Sequence, residues 1–485
     1  MLQISVEDSE IGPGEAHRWH LVPLTGAEGP APRRMTGYNQ AKHFTVAQYA
    51  QSVDDPIRSY VAASFELTSQ VDLDALAAAL LHLVQRHEVL RAIYQPLAGD
   101  LGCEVLTSDE VALKHVYGGP LETSAQVTRH LQEAFQEVDT LSWPLITMGA
   151  VVRPESTTVW FSCDHLVTDG LSSAIAINDI ATAYRSLTSE AEPAPQGAAA
   201  PHGTPAPQAA PAPAPTPGTA RPPGSYLEFS RTQRRANRAM RADDARLDHW
   251  RAFRDRNGGL FPPFPLDLGV RPGELYAPVA GTERLLDAHR IEEFGSVCRA
   301  LGGRLSMGLL AGVAIALREL GGPAVYRGLM PFNERGRGDY AESMGWFINT
   351  LPIEFPVGPQ AGLGAVLADA QDAYAQVQAH AAVHFVKAWK LLAPAEYATL
   401  RYWPYAVNFF SYIDCRRLPG ADQHLAQQAR MHVWVSGCNG ILHWLHRTDE
   451  GLFVNTIHAD TPEARDVNRA LLDGFARVLT EPLST

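Results

Sequence analysis

The chain has 485 residues, of which 46% are hydrophobic and 19% charged, and its formal net charge at pH 7 is −13. This composition is typical of a large globular protein, and the negative charge argues against nucleic acid as a partner, because phosphate binding requires a basic surface. No apolar run reaches the length of a membrane span, and the first residues lack the pattern of a secretory signal. We therefore expect a cytoplasmic protein without a transmembrane segment.

The N-terminal part of the chain predicts a mixture of helices and strands. Aliphatic residues at helical spacing predict a helix over residues 74–91, and a second helix is predicted over 124–136. Runs that are rich in β-branched and aromatic residues predict strands over 59–67, 146–152 and 157–162.

Residues 190–224 differ sharply from the rest of the chain, because they are almost entirely Ala, Pro, Gly, Thr and Gln. A segment of this composition cannot bury a core and predicts an extended or disordered tether. It separates residues 1–189 from residues 225–485, and each part is close to the size of a domain. We therefore predict two domains joined by a disordered insertion.

The C-terminal part again predicts both helices and strands. It opens with a basic helix that ends near Trp250. Further helices are predicted over residues 288–301, 306–320 and 362–380, and strands over 324–330, 348–355, 407–412, 432–436, 441–446 and 452–458. The whole chain is therefore predicted to have a mixed α/β fold.

The most informative motif follows the predicted strand 157–162, where His165, Asp169 and Gly170 form the pattern H-x-x-x-D-G on a strand-to-helix loop. A histidine in such a loop can take a proton from an attacking alcohol or amine. The aspartate can fix the loop by pairing with an arginine. The glycine lets the backbone approach a thioester closely, and its N–H is a candidate oxyanion donor. A buried loop histidine capped by a carboxylate would give the same pattern.

The cysteines and the other histidines do not suggest a second chemistry. Five cysteines are scattered singly, which fits neither a disulfide framework nor a metal site. Cys163 lies two residues before His165 and is a candidate nucleophile, although a small apolar filler on the strand is the favoured interpretation. His443 and His446 fall on opposite faces of one predicted strand, and we predict no metal site.

Five motifs in the same order along the chain carry a resemblance to a known family. They are Y-N-Q-A-K-H at 38–43, R-H-E-V-L-R at 86–91, H-L-V-T-D-G at 165–170, M-G-W-F-I-N-T-L-P at 344–352 and N-F-F-S-Y-I-D at 408–414. The sequence resembles the condensation-domain superfamily of acyltransferases, above all the actinobacterial polyketide-associated protein (Pap) acyltransferases and the free-standing condensation enzymes of nonribosomal peptide synthesis.

The resemblance implies a fold and a mechanism. The fold would consist of two chloramphenicol-acetyltransferase-like subdomains in a V-shaped pseudodimer, with the active site at their interface. His165 would act as the general base for direct attack on a thioester, with no acyl-enzyme. Asp169 would pair with an arginine of the second subdomain, and Arg335 and Arg337 are both candidates.

The resemblance also suggests which residues touch the substrate. From the second subdomain these are Trp346, Asn349, Ser411 and Tyr412. The family pattern is H-H-x-x-x-D-G, and its first histidine is replaced here by Asp164, which we also assign to substrate binding. The first position is understood as mainly structural, so activity need not be lost. An acidic neighbour would nevertheless raise the pKa of the catalytic histidine.

The sequence therefore predicts an acyltransferase of specialised lipid, polyketide or peptide metabolism. Its donor would be an acyl thioester on an acyl or peptidyl carrier protein or on CoA, and its acceptor a hydroxyl or amine of a small molecule. No bound cofactor is predicted, because the substrate itself carries the phosphopantetheine, and we expect a monomer. The alternative is a degenerate condensation-like fold that only recruits partners. The acyl chain, the acceptor and the choice between ester and amide stay open.

Overall fold

The structure is a computed structural model that describes residues 1–24, 34–54, 59–97, 100–189, 222–271, 273–336, 338–399 and 407–481. Most of the predicted tether, residues 190–221, therefore lies outside the described residues. The described helices are α1 Tyr38–Ser52, α2 Leu73–Arg86, α3 Ser124–Phe135, α4 Gly170–Ser189, α5 Tyr226–Asn237, α6 Asp248–Asn257, α7 Ala288–Ala300, α8 Leu305–Glu319, α9 Leu363–Ala379, α10 Phe385–Leu392, α11 Pro394–Thr399 and α12 Pro462–Thr480.

The strands alternate with these helices along the chain, as expected for a mixed α/β protein. They are β1 Leu2–Gln3, β2 Gly14–Pro23, β3 Arg34–Met35, β4 Ser59–Leu67, β5 Ala92–Leu97, β6 Asp100–Val105, β7 Val111–Leu121, β8 Ile146–Val152, β9 Thr157–Asp164, β10 Pro278–Asp287, β11 Val325–Asn333, β12 Ile348–Pro356, β13 Phe410–Asp414, β14 Arg430–Val435, β15 Ile441–Thr448 and β16 Gly451–Ala459.

A seven-stranded sheet of order β1-β14-β4-β9-β8-β2-β7 organises the N-terminal half. Strand β9 lies in the middle of the sheet and is buried along its whole length. Alternate residues of β4 enter two different cores. Val61 and Phe65 pack in the core that includes α2 and α4, whereas Tyr60 and Ala62 pack in the core that includes α3. This two-sided burial explains the continuous apolar run in β4.

The C-terminal half has its own sheet and its own core. Strands β10, β16, β15 and β13 form a four-stranded sheet, while β11 and β12 form a separate antiparallel pair. Side chains of α7, α8, α9 and α12 share one apolar core that includes Phe294, Leu310, Leu367 and Phe475. The site described below lies where this half meets the loop that follows β9.

One strand of the C-terminal half belongs to the N-terminal sheet. Strand β14 pairs antiparallel with β4, with Met431 opposite Ala63, and parallel with the short β1. The sequence pattern predicts that residues 432–436 form a strand but does not indicate the sheet that it joins. The division of the chain into 1–189, 190–224 and 225–485 stays a prediction.

Most of the predicted elements are confirmed. One predicted helix ends earlier than expected, and another is divided into two helices. The helix predicted over 74–91 ends at Arg86 and is followed by a 3-10 turn. The chain leaves the helix there because the His87 ring forms a hydrogen bond with the Asp179 carboxylate at 2.7 Å and accepts one from the Met344 N–H at 3.4 Å. The basic helix expected to end near Trp250 is divided into α5 and α6.

Among the described residues, no single helix is long and apolar enough to cross a membrane. Helices α7 and α8 reach the required length and hydropathy only as a pair, and they meet at an angle of 95°.

Gly149 in β8 gives a test of the packing at the centre of the N-terminal sheet. A Cβ at this position would lie 2.2 Å from Cζ2 of the fully buried Trp160 and 2.6 Å from the carbonyl oxygen of His17. We expect Gly149→Ala to lower the free energy of unfolding by about 1–3 kcal/mol, measured by denaturant titration, because neither neighbour can move away without disturbing the sheet. Gly259→Ala is the matched control, since no atom lies within 4 Å of its Cβ. An equal effect of the two substitutions would contradict this packing.

Candidate active site

The H-x-x-x-D-G loop begins where the central strand β9 ends. Residues His165–Val167 form one 3-10 turn, and α4 begins at Gly170. The Asp164 carboxylate caps the turn by accepting from the Leu166 N–H at 2.8 Å, and Gln40 of α1 donates its side-chain amide to the Leu166 carbonyl at 2.7 Å. Contacts from two elements therefore fix the backbone that carries His165.

Asp169 forms a bidentate ion pair with Arg335. The two guanidinium nitrogens donate to the two carboxylate oxygens at 2.7 and 2.8 Å, and both residues are almost completely buried. The N–H groups of Ser172 and Phe347 donate to the same carboxylate, each at 3.0 Å. Of the two predicted partners the structure therefore pairs Arg335 with Asp169, whereas Arg337 lies outside the described residues.

Arg335 also holds the segment that follows β11. Its Nε donates to the Ser343 carbonyl at 3.0 Å, its Nη2 donates to Ser172 Oγ at 2.8 Å, and its guanidinium carbon lies 4.5 Å from the centre of the Phe347 ring. The start of α4 and the segment between β11 and β12 are thus joined by one buried network. This network connects the two halves of the molecule beside His165.

His165 is partly buried and packs against Trp346, with ring centroids 4.0 Å apart. Its Nδ1 is enclosed by protein and has no hydrogen bond to another of the described residues. Burial lowers the pKa of His165, and the nearby His43 lowers it further, while Asp164 and Asp169 oppose this with smaller effects. Asp164 therefore does act to raise the pKa of His165, as expected, but burial and His43 outweigh it, and the pKa is lowered overall.

Asp164 is buried beneath the loop and does not line the cavity. Its carboxylate accepts from Thr140 Oγ1 at 2.7 Å and lies 3.4 Å from Nε2 of His43. Burial raises the pKa of Asp164, but His43, Thr140 and the Leu166 N–H outweigh burial, and the pKa is lowered overall. The predicted substrate contact of Asp164 is therefore not supported by the geometry, which gives it a supporting position behind His165.

His43 is a residue of the site that the sequence reasoning missed. It lies in α1, lines the cavity beside His165 and packs edge-on against Trp346, with ring centroids 5.6 Å apart. The only signal in the sequence is its place in the Y-N-Q-A-K-H motif at 38–43, which carries the family resemblance but suggests no role for the histidine. Its partner Asp164 is distant in sequence.

A cavity of about 310 Å³ opens in front of His165. Its walls are mainly apolar, as in sites that bind extended hydrophobic ligands. Besides His43 and His165, the lining includes Tyr60, Val61, Gly170, Leu171, Phe261, Leu329, Trp346, Ile348, Thr350, Phe409, Ser411, Tyr412, Ile413, Met431, Val433, Trp434 and Trp444. The structure therefore brings the predicted Trp346, Ser411 and Tyr412 to one cavity with the histidine.

Asn349, in contrast, does not face this cavity. It is fully buried in β12, donates its side-chain amide to the carbonyls of Ala381 and Val383, and accepts from the Phe385 N–H at 2.9 Å. Thr350 lines the cavity instead. Because successive residues of a strand face opposite sides, Thr350 is directed to the cavity and Asn349 to the core.

Gly170 has no neighbour that requires a glycine. A Cβ there would meet only Ile413 and Met431, both at 3.8 Å, which is ordinary van der Waals contact. Since Gly170 lines the cavity, the absence of a side chain leaves space for a ligand.

Cys163 is fully buried within β9, and burial raises the pKa of its thiol. The thiol is therefore protonated and enclosed, which agrees with the interpretation of Cys163 as a filler on the strand. Within the described ranges, no group of three or more His, Cys, Asp or Glu side chains is arranged to hold a metal ion. His443 is hydrogen-bonded to Asn468 at 2.9 Å.

Comparison with known proteins supports the resemblance. The sequence profile of the condensation domain matches residues 44–199. The 2'-acyl-2-O-sulfo-trehalose (hydroxy)phthioceranyltransferase PapA1 of Mycobacterium tuberculosis is 27% identical over 363 residues, which are 73% of this chain and 64% of PapA1. This chain is therefore similar to a Pap acyltransferase over most of its length. The match spans somewhat less than two thirds of the length of PapA1. The name of PapA1 is that of an acyltransferase, which is the class of enzyme predicted from the sequence.

Solved structures confirm the predicted fold. The PapA2 acyl transferase has a TM-score of 0.85 at 20% identity, over 100% of both chains. The first condensation domain of the CDA synthetase has a TM-score of 0.65 at 18% identity, over 93% of this chain and 97% of that domain. This chain therefore has the predicted α/β architecture of a chloramphenicol-acetyltransferase-like pseudodimer.

We expect Asp169→Asn to destabilise this protein by about 3–5 kcal/mol, because it leaves the Arg335 charge buried without its counter-charge. The transfer rate should fall as well, since the His165 loop depends on the same network. The melting temperature and the rate test the two effects. Asp244→Asn, which breaks the surface pair of Asp244 with Arg246, is the control and should leave the melting temperature nearly unchanged. An unchanged melting temperature and rate for Asp169→Asn would contradict a structural role of the pair.

Proposed function

We propose that this protein is an acyltransferase in which His165 is the general base for direct attack on an acyl thioester. The observation that carries the proposal is the position of the partly buried His165 at the wall of an apolar cavity, on a loop held by the Asp169–Arg335 pair, and burial lowers the pKa of this histidine. A general base is most effective when it is unprotonated at working pH and cannot turn away from the reacting group.

In the proposed step, His165 accepts the proton of the acceptor O–H or N–H through Nε2 while the acceptor atom forms a bond to the thioester carbonyl carbon. The carbonyl oxygen takes up the negative charge of the tetrahedral intermediate. The intermediate then collapses, the C–S bond breaks, and His165 returns the proton to the leaving thiolate. No acyl-enzyme is required, which agrees with the enclosed thiol of Cys163.

The apolar walls suit an acyl chain, and we propose that the chain arrives on phosphopantetheine, carried by an acyl or peptidyl carrier protein or by CoA. The protein itself would hold no cofactor. Gly170 would let the thioester approach the start of α4, where backbone N–H groups can donate to a developing oxyanion. Trp346, Ser411 and Tyr412 would contact the substrate from the C-terminal half.

The relatives indicate which acceptor to assay first. PapA1 is named for transfer to an acylated sulfo-trehalose, and PapA2 as a trehalose-2-sulfate acyltransferase. We therefore propose an ester-forming enzyme of specialised lipid metabolism, with a sugar hydroxyl as the first acceptor to test. The alternative of a partner-recruiting module has no observation in its favour, because the basic histidine, its ion-pair network and the cavity are all present. The cytoplasmic location and the monomeric state stay predictions.

Replacing His165 tests the base directly. We expect His165→Ala to lower the transfer rate by about a hundredfold to ten-thousandfold with the fold intact, measured as thiol release from an acyl-CoA together with the mass of the acylated product. The wild-type rate should rise with pH through a midpoint below about pH 6.5 and then level off, because burial lowers the pKa of His165. Cys163→Ala is the control and should remain active. Near-normal turnover by His165→Ala, or an acyl group trapped on Cys163, would contradict the mechanism.

Gly170→Ala tests the space in front of α4. A methyl group there meets only ordinary contacts, so we expect little change in the melting temperature. It would, however, occupy part of the cavity next to His165, and we expect KM for the thioester to rise or kcat to fall. Measuring both constants with a short and a long acyl-CoA separates a blocked acyl path from a general loss of activity. Full activity with both donors would contradict the proposed position of the thioester.

A further inference from the structure

The cavity in front of His165 extends past the start of α4 into a slot between β14 and the C-terminal sheet. A Cβ on Gly170 would lie 3.8 Å from the sulfur of Met431, so β14 forms the wall of the slot next to the loop that carries His165. Around Met431 the lining is apolar and includes Val433 of β14 and Ile413 of β13. An extended acyl chain can therefore lie between the sheets with its thioester beside His165.

Gln3 adds a polar group to the wall of this slot. It lines the cavity, is only 1% exposed and pairs in register with Met431, so the two side chains lie on the same face of the N-terminal sheet. Its amide reaches across to the C-terminal sheet, where Nε2 donates to Asn455 Oδ1 at 2.6 Å. Asn455 lies opposite Trp444, which also lines the cavity. Gln3 therefore joins the two sheets at the wall of the cavity.

A chain of hydrogen bonds fixes the orientation of the Gln3 amide. Thr282 Oγ1 donates to the Gln3 backbone carbonyl at 3.1 Å, so the same hydroxyl must accept from Asn455 Nδ2, which lies at 2.9 Å. Asn455 Oδ1 then faces Gln3 and requires a donor, and of the two polar atoms of the Gln3 amide only Nε2 can donate. Gln3 Oε1 is left over, and this buried oxygen has no hydrogen-bond partner among the described residues.

The Gln3 carbonyl oxygen is thus an acceptor without a donor at the wall of an apolar slot. A buried acceptor of this kind is costly, and a ligand that brings a donor removes the cost. We propose that Gln3 Oε1 accepts a hydrogen bond from a hydroxyl group on the acyl chain, so that this protein prefers hydroxylated acyl chains to unsubstituted ones. The inference rests on the proposed acyl transfer and adds a substrate class and a specificity residue to it.

The surroundings of Gln3 favour the acyl chain over a sugar acceptor as the source of the hydroxyl. A sugar carries a hydroxyl on most of its carbons and needs several polar partners at once. Here the side chains of Asn455 and Thr282 are bonded to each other and to Gln3, and the wall around Met431 is apolar. One free acceptor in an apolar slot matches a single hydroxyl on a hydrocarbon chain.

The preference can be measured as binding, without any turnover. Isothermal titration calorimetry compares a saturated acyl-CoA with hydroxyacyl-CoAs of the same chain length, in which the hydroxyl is moved one carbon at a time along the chain. We expect one hydroxyl position to bind about tenfold more tightly than the saturated chain, the size expected for satisfying a buried acceptor. Equal affinity of the wild-type protein for all these chains would overturn the inference.

Two variants test the role of the Gln3 amide. Gln3→Met keeps an unbranched side chain of similar length but removes the amide, and we expect it to bind hydroxylated and saturated chains equally. Asn455→Ala leaves the amide in place but frees it to turn, and it should weaken the preference. Gln51→Met, at an exposed position on α1, is the control and should keep the wild-type preference. Melting temperatures establish that each variant is folded, and a full preference in either folded variant would contradict the assignment.

The outcomes separate this inference from the proposed function. An inactive wild-type protein that binds one hydroxyacyl-CoA more tightly would remove the acyl-transfer proposal and keep the hydroxyl site. An active wild-type protein without the preference would remove the hydroxyl site and keep His165 as the base. The acceptor is tested by exchanging a glycoside for a simple alcohol. If Gln3→Met raises KM for the glycoside alone, the hydroxyl belongs to the acceptor, and the assignment to the acyl chain is overturned.

Discussion

The buried ion pair between Asp169 and Arg335 is the interaction on which the site depends. It joins the start of α4 in the N-terminal half to the segment before β12 in the C-terminal half, and both charges are removed from water. Such a pair offers little net stability over apolar residues of the same size, because desolvation offsets most of the attraction. The contribution of the pair here is to hold the two segments in a fixed relative position. A planar bidentate contact has one favourable geometry, and that geometry fixes the loop that carries His165.

The burial that supports this pair also sets the chemistry of its neighbours. Around His165 the protein encloses two carboxylates: Asp169 is paired with Arg335, and Asp164 accepts hydrogen bonds from Thr140 and the Leu166 N–H. Desolvation then dominates and lowers the pKa of His165. In an exposed loop the same residues would give the opposite result, because water would weaken the pairs and Asp164 would be the nearest charge.

The features that could be predicted from the sequence are those that depend on local pattern. Strand β4 was predicted with its observed bounds, because burial on both faces gives a continuous apolar run. Strand β7 was missed because it is an exposed edge of the sheet, and its Lys114, His115 and Gly118 break the apolar pattern. Motif order along the chain was enough to predict the fold and the loop of His165.

The features that could not be predicted depend on distant contacts. Arg335 and Arg337 are equivalent in sequence, and only the folded chain selects Arg335 as the partner of Asp169. Asn349 differs from Thr350 only in which side of β12 it faces. The side chains of Asp164 and His43 lie 3.4 Å apart although more than a hundred residues separate them in sequence, and neither residue alone signals this contact. The sequence alone identified the residues of the H-x-x-x-D-G motif, whereas tertiary packing determines which other side chains contact them.

Strand β14 of the C-terminal half completes the N-terminal sheet, and this pairing has a consequence for how the protein folds during synthesis. During synthesis from the N-terminus, β4 is complete long before residues 430–435 exist, and until then one edge of β4 has unpaired backbone N–H and C=O groups. Pairing must wait for most of the chain, and contacts between residues so far apart in sequence form slowly. A ribosome-bound or truncated chain that ends before β14 would therefore expose an apolar strand edge.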